Sequence, residues 1–205
     1  MRRFVLVVAL LGLGAAACGS DDASSPTTSP TATATTTRAS ASTPAPIPTC
    51  SAAQLAAKPV PQDLPEPVTA KRAAIVAAAV ACDYDALAAL TGDPFTYSFG
   101  GGDDPAGHWR DLEGPEDVTT PPLDALVKLL NLPHGVNDAG DATYYVWPAA
   151  FSYDSWDAVP EVDKEALRVL YGDKDFSDFA QFGSYIGYRV SITSKGDWNA
   201  FVAGD

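Results

Sequence analysis

The segment "GHWRDLEG", residues 107 to 114, gathers His108, Trp109, Arg110, Asp111 and Glu113. A histidine beside carboxylates can act as a general acid or base, and a tryptophan next to it can stack on a sugar face. No serine, cysteine or threonine stands near it in a nucleophile motif. The competing assignment is structural: Trp109 plugs the segment into the core, and Arg110 pairs with a neighbouring acid. A second concentration is "TYYVWPAAFSYDSW", which carries Tyr144, Tyr145, Trp147, Phe151, Tyr153 and Trp156. On a strand, alternate side chains face opposite sides. One subset therefore faces either a covering helix or a cleft for a glycan or other small apolar ligand. From these two segments, the residues expected to line a ligand pocket are His108, Trp109, Tyr145 and Trp147.

The acid groups Asp83/Asp85, Asp103/Asp104 and Asp173/Asp175/Asp178 have the chemistry for calcium or for a glycosidase pair. None fits a calcium loop, because the twelfth position from Asp173 is Ser184, not a glutamate. Helix capping and solvated surface account for most of them. No phosphate-cradling glycine loop, G-x-S-x-G elbow, H-E-x-x-H or dinucleotide fingerprint is present. No catalytic residue, cofactor or metal ligand is assigned. Cys50, Cys82, His108 and His134 lack the C-x-x-C and H-x-x-x-H spacings of a zinc site.

The elements that must position these residues follow from pattern. "VTAKRAAIVAAAVAC" places Val68, Ile75, Val76, Ala79 and Val80 on one helical stripe. Asp83 caps a following turn, "DYDALAAL", that Gly92 stops. "PFTYSF" alternates as a half-buried strand, and "GGGDDPAG" with the segment after it is expected to be loop. "TTPPLDALVKLLNLP" is a short amphipathic helix, and "DATYYVWP" is a strand. "PEVDKEALRVLYG" and "DKDFSDFAQFG" are two helices ending at Gly172 and Gly183. "YIGYRVSIT" and "WNAFVAGD" form a terminal hairpin, with Ile186, Tyr188, Val190 and Ile192 on one face. Helices first and a hairpin last point to an α+β fold: an N-terminal helix pair packed on an antiparallel sheet. In element order alone, this resembles the NTF2-like cone, which is the alternative.

Domain organisation is read from the N-terminus. Arg2 and Arg3, the apolar run from Phe4 to Leu11 and the alanines 15 to 17 have the order of a secretory signal peptide over residues 1–17. The run is shorter than the roughly 20 apolar residues that span a bilayer. Cys18, directly after Ala16 and Ala17, resembles the lipobox of bacterial lipoproteins, with Ala15 where leucine is usual. That resemblance implies a lipid anchor on Cys18. Ordinary secretion is the alternative. Residues 18–49 are almost all Ser, Thr, Ala and Pro, and are expected to form a disordered tether. Residues 50–205 are expected to form one globular domain.

The domain holds 24 of the chain's 26 acidic side chains and 10 of its 13 basic ones. Such a charge repels phosphate backbones and anionic head groups, which excludes nucleic acid as a partner and peripheral docking by charge. Once Cys18 is set apart, Cys50 and Cys82 remain, and in an exported protein they are most simply a disulfide. Two buried thiols are the alternative.

The blocks "CDYDALAAL" through "FTYSFGG", "YYVWP" and "YIGYRVSITSKGDWNAFVAGD" resemble an uncharacterised module of secreted and lipidated bacterial proteins. The resemblance implies one exported domain with Cys50 and Cys82 as a recurring pair, and implies no activity. The functional expectation is a lipoprotein on the outer face of the cell membrane, anchored through Cys18. Its domain binds a cell-wall component or serves an envelope protein. The alternative is an extracytoplasmic hydrolase of an envelope glycan or ester, using His108 with Asp111 or Glu113.

Overall fold

The computed structural model describes residues 49–114 and 118–204. The signal peptide, Cys18 and all but the last residue of the tether lie outside the described residues. The fold is α+β. Its helices are α1 (Glu66–Val80), α2 (Tyr84–Ala89), α3 (Pro105–Leu112), α4 (Pro122–Leu129) and α5 (Glu161–Phe182). Its strands are β1 (Thr91–Thr96), β2 (Gly135–Ala139), β3 (Ala142–Trp147), β4 (Arg189–Thr193) and β5 (Trp198–Val202), in the order β1-β5-β4-β3-β2. No helix among the described residues is long and apolar enough to cross a membrane.

Three of the four strand pairings are antiparallel, and β4–β5 is the expected C-terminal hairpin. The exception is β1, which runs parallel to β5, so the sheet is mixed at one edge. It stays open and does not close into a barrel. Val190, Ser191 and Ile192 are consecutive on β4 and all buried. Neighbouring residues on a strand point to opposite faces, so the centre of the sheet is covered on both sides. Trp147, Trp198, Ile192 and Phe201 meet α1 residues Ile75 and Val76 and α4 residues Leu123, Leu126 and Leu130 in one core.

Four boundaries differ from the sequence reading. Strand β1 starts at Thr91 and ends before Tyr97. Gly92 does not stop a helix but lies in that strand, where a Cβ would stand 3.0 Å from the Trp198 carbonyl oxygen. Strand β2, "GVNDA", has no apolar alternation, and its ladder with β3 holds it. Segment 105–112 is a helix rather than a loop: Pro105 opens it, and the Asp104 carboxylate accepts from Gly107 N at 2.8 Å. Ile186 and Tyr188 precede β4 instead of lying on it. The two expected C-terminal helices are continuous as α5, with a break at Gly172 (φ 73°, ψ 170°). Gly183, at φ 77°, closes α5 as expected.

Candidate functional site

Three concave surfaces flank the helices, and each tests a different part of the sequence reading. The largest, about 870 Å³, is lined by Ser51, the Cys50–Cys82 disulfide, Asp83, Asp85, Arg110 and Glu113. Helix α4 begins after Pro121 with no side-chain cap of its own. The cap comes from afar: Glu113 Oε1 accepts from Leu123 N at 2.8 Å, and Ser51 Oγ accepts from Asp124 N at 2.9 Å. Glu113 also accepts from Ser51 N at 2.7 Å and from Ser51 Oγ at 2.9 Å. A carboxylate at a helix N-terminus satisfies otherwise orphaned amides and complements the helix dipole. Glu113 therefore has a structural duty, fixed at one side by the disulfide next to Ser51. Asp83 caps α2 through Ala86 N at 2.9 Å. Arg110 pairs with Asp85 at 3.6 Å and lies over the Tyr84 ring. Burial, with Glu113 nearby, raises the Tyr84 pKa.

The residues of the hydrolase reading do not assemble. Positions 108 and 113 lie about 140° apart around a helix, and Glu113 is occupied as above. His108 instead packs against the Tyr97 ring, with centroids 5.1 Å apart. Of the four expected pocket residues, Trp109 is 1 % exposed and Trp147 is fully buried. Trp109 stacks on Trp198 at 5.7 Å and meets Phe95 edge-on at 6.0 Å. It plugs its segment into the core. Tyr145 and Trp147 do come together, each 5.6 Å from the His134 ring. Their strand, β3, is separated from the β5 residues against Trp109 by β4, so the two pairs build separate clusters.

In the second cluster, the Gln62 carbonyl oxygen accepts from Trp147 Nε1 and from His134 Nδ1, both at 3.1 Å. Burial lowers the His134 pKa, the Arg72 charge adds to that, and Asp63 opposes it. Arg72 is 2 % exposed and donates to the Leu130 carbonyl, through Nε at 2.7 Å and Nη2 at 2.5 Å, and to the Val60 carbonyl at 2.9 Å. It thus closes the C-terminal end of α4 as Glu113 and Ser51 close its start.

A second concavity, about 400 Å³, lies between the latter part of α5 and residues 186–188. Tyr171 and Tyr185 share a hydroxyl–hydroxyl hydrogen bond of 2.7 Å, and Tyr188 N donates to Tyr171 at 2.8 Å. Burial raises the pKa of both phenols. Thr119 donates to Asp175 at 2.8 Å, which uses one of the acids considered for calcium. Among the described residues, no group of three or more His, Cys, Asp or Glu side chains converges on a point that could hold a metal ion.

The third is a groove of about 390 Å³ between Leu55–Ala56, the C-terminal half of α4 and the first half of α5. Val127, Leu132, Ala166, Val169 and Leu170 complete its apolar wall, and Lys128 is its one charged lining residue. Sequence reasoning missed it. The signal was present in α5, where Val162, Ala166, Val169 and Leu170 recur at i, i+4, i+7 and i+8, beside the core positions Leu167 and Tyr171. No protein-family model, curated protein or solved structure matches the chain.

Proposed function

We propose that the chain is an exported lipoprotein, anchored through Cys18 outside the cytoplasmic membrane, whose folded part is a non-catalytic binding or accessory domain of the cell envelope. The observation that carries export is the Cys50–Cys82 bridge, since such bonds persist in oxidising compartments. The lipobox-like sequence at Cys18 supplies the anchor. A binding role is supported by the division of labour among side chains. Glu113, Asp83 and Asp104 are engaged in capping, whereas the apolar α4–α5 groove has aliphatic walls that no element of the described domain covers. The hydrolase alternative gains no convergence of His108 with Glu113.

The test has two arms. Intact mass of protein extracted from membranes shows a diacylglyceryl addition on a chain starting at Cys18, abolished by Cys18→Ala; an unmodified secreted chain contradicts the anchor. A panel of peptidoglycan fragments, envelope glycans and lipids is followed by tryptophan fluorescence, with ester and glycoside hydrolysis measured alongside. Binding without turnover is expected. Turnover lost on His108→Ala would overturn the non-catalytic reading.

A further inference from the structure

We infer that the α4–α5 groove is the binding site, and that its occupant is a single-chain anionic lipid whose alkyl chain lies along the groove with its charged end at Lys128. This rests on the reading of the domain as a binding module and names the ligand class. Hydrogen-bonding capacity is the first discriminator. Besides Lys128, the polar lining is Asn131, and its side chain is already used: Oδ1 accepts from Val60 N at 2.7 Å, and Nδ2 donates to the Val127 carbonyl at 2.8 Å. An extended peptide or a glycan in this groove would bury N–H, C=O or hydroxyl groups against aliphatic side chains with nothing to pair them. An alkyl chain brings no such groups. No aromatic ring lines the groove, so a flat ligand has no stacking partner there.

Size is the second discriminator. One turn of a helix about 10 Å across and about 5.4 Å high fills roughly 420 Å³, more than the whole groove, whereas an alkyl chain is one methylene wide. Charge is the third. Lys128 stands at the groove in a domain that carries 24 acidic and 10 basic side chains. Its present partner is Asp124, four positions away at 2.7 Å, in a solvent-facing pair of the kind that exchanges readily for another anion. Val169, 79 % exposed, and Val162, 75 % exposed, continue the apolar surface along α5. They give a chain longer than the groove somewhere to lie.

The experiment uses the full chain from residue 18 onward with Cys18→Ser, so that no acyl group of its own competes. It is titrated with dansyl-labelled undecanoate, then challenged with palmitate or its neutral counterpart hexadecanol. Saturable fluorescence is expected, displaced by palmitate better than by hexadecanol. Ala166→Trp, which fills the groove, and Val169→Glu, at an exposed site that does not threaten folding, each weaken binding roughly tenfold. Lys128→Gln makes palmitate and hexadecanol equivalent. The inference is overturned by absence of saturable binding, by unchanged affinity in Val169→Glu with a native circular dichroism spectrum, or by equal displacement by the two competitors in the unsubstituted groove. It also falls if an amphipathic helical peptide displaces the label and palmitate does not. A response to peptidoglycan fragments without palmitate binding overturns this inference and leaves the binding-module reading standing.

Discussion

The two ends of α4 face concave surfaces built in opposite ways. At its start, the larger cleft is rich in charge, yet Glu113, Ser51, Asp83 and Arg110 each already hold a partner within the fold. Along its second half, the α4–α5 groove is smaller and nearly without polar groups, and its aliphatic wall is left uncovered. Side chains that suggest chemistry in a sequence are often those the fold needs most. A helix starting after Pro121 needs acceptors for its free amides, and a distant glutamate and serine supply them. Uncovered aliphatic surface satisfies no such need, which makes it the better marker of a ligand.

The comparison can be broken first at the disulfide. Replacing Cys50 and Cys82 with alanine removes a cross-link between residues 32 apart, for which the chain-entropy relation gives about 3.7 kcal/mol. Urea unfolding should show a loss of that order; a change below about 1 kcal/mol would mean that the bridge is peripheral to the cleft's architecture. Glu113→Ala comes next. Loss of its contacts to Ser51 and Leu123 should cost about 2 to 3 kcal/mol and leave palmitate binding intact, as measured by unfolding and titration on one sample. Impaired binding at full stability would reverse the roles given to the two surfaces.

Acid should act through His134, whose pKa in the fold lies below its ordinary value because of burial and Arg72. Between that lowered value and about 6.5, the unfolded chain holds the extra proton, so stability falls as pH drops through the window and is fully present above it. His134→Gln should flatten that part of the pH–stability curve, and an unaltered slope would assign it elsewhere. The smallest effects belong to His108 and Val169. Removing the His108 ring from Tyr97 should change stability by no more than about 1 kcal/mol, with no effect on ligand binding. Val169→Glu should change stability by less than about 0.5 kcal/mol while impairing lipid binding.

How far the sequence could be read depended on the range of the interactions. Local signals were legible: Asp83 as a cap, Gly183 as a stop, the α4 stripe and the final hairpin all depend on neighbours a few residues away. The pairing of Cys50 with Cys82 followed from their number and from the export signal. Contacts across the chain were hidden. The cap on α4 comes from 10 and 73 positions away, and Gly92 is explained only by the Trp198 backbone beside it. Strand β2 lacks alternation because its ladder with β3 holds it without a strongly apolar face. The α3 segment looked like loop because glycine and charge mask a short helix that Asp104 and Pro105 start. The structural assignment of Trp109, raised beside the functional one, is the arrangement found. Tyr145 and Trp147 are neighbours as expected, around His134 rather than around an open cleft.

The most direct measurement is methyl-resolved NMR of the isotopically labelled chain, Cys18→Ser from residue 18, during titration with palmitate. Saturable shifts should centre on the methyl groups of Leu55, Val127, Leu132, Val169 and Leu170, while Ala81 and Ala86 beside the polar cleft stay still. Shifts centred on the cleft, or the absence of any saturable shift, would contradict the assignment of the groove as the ligand face.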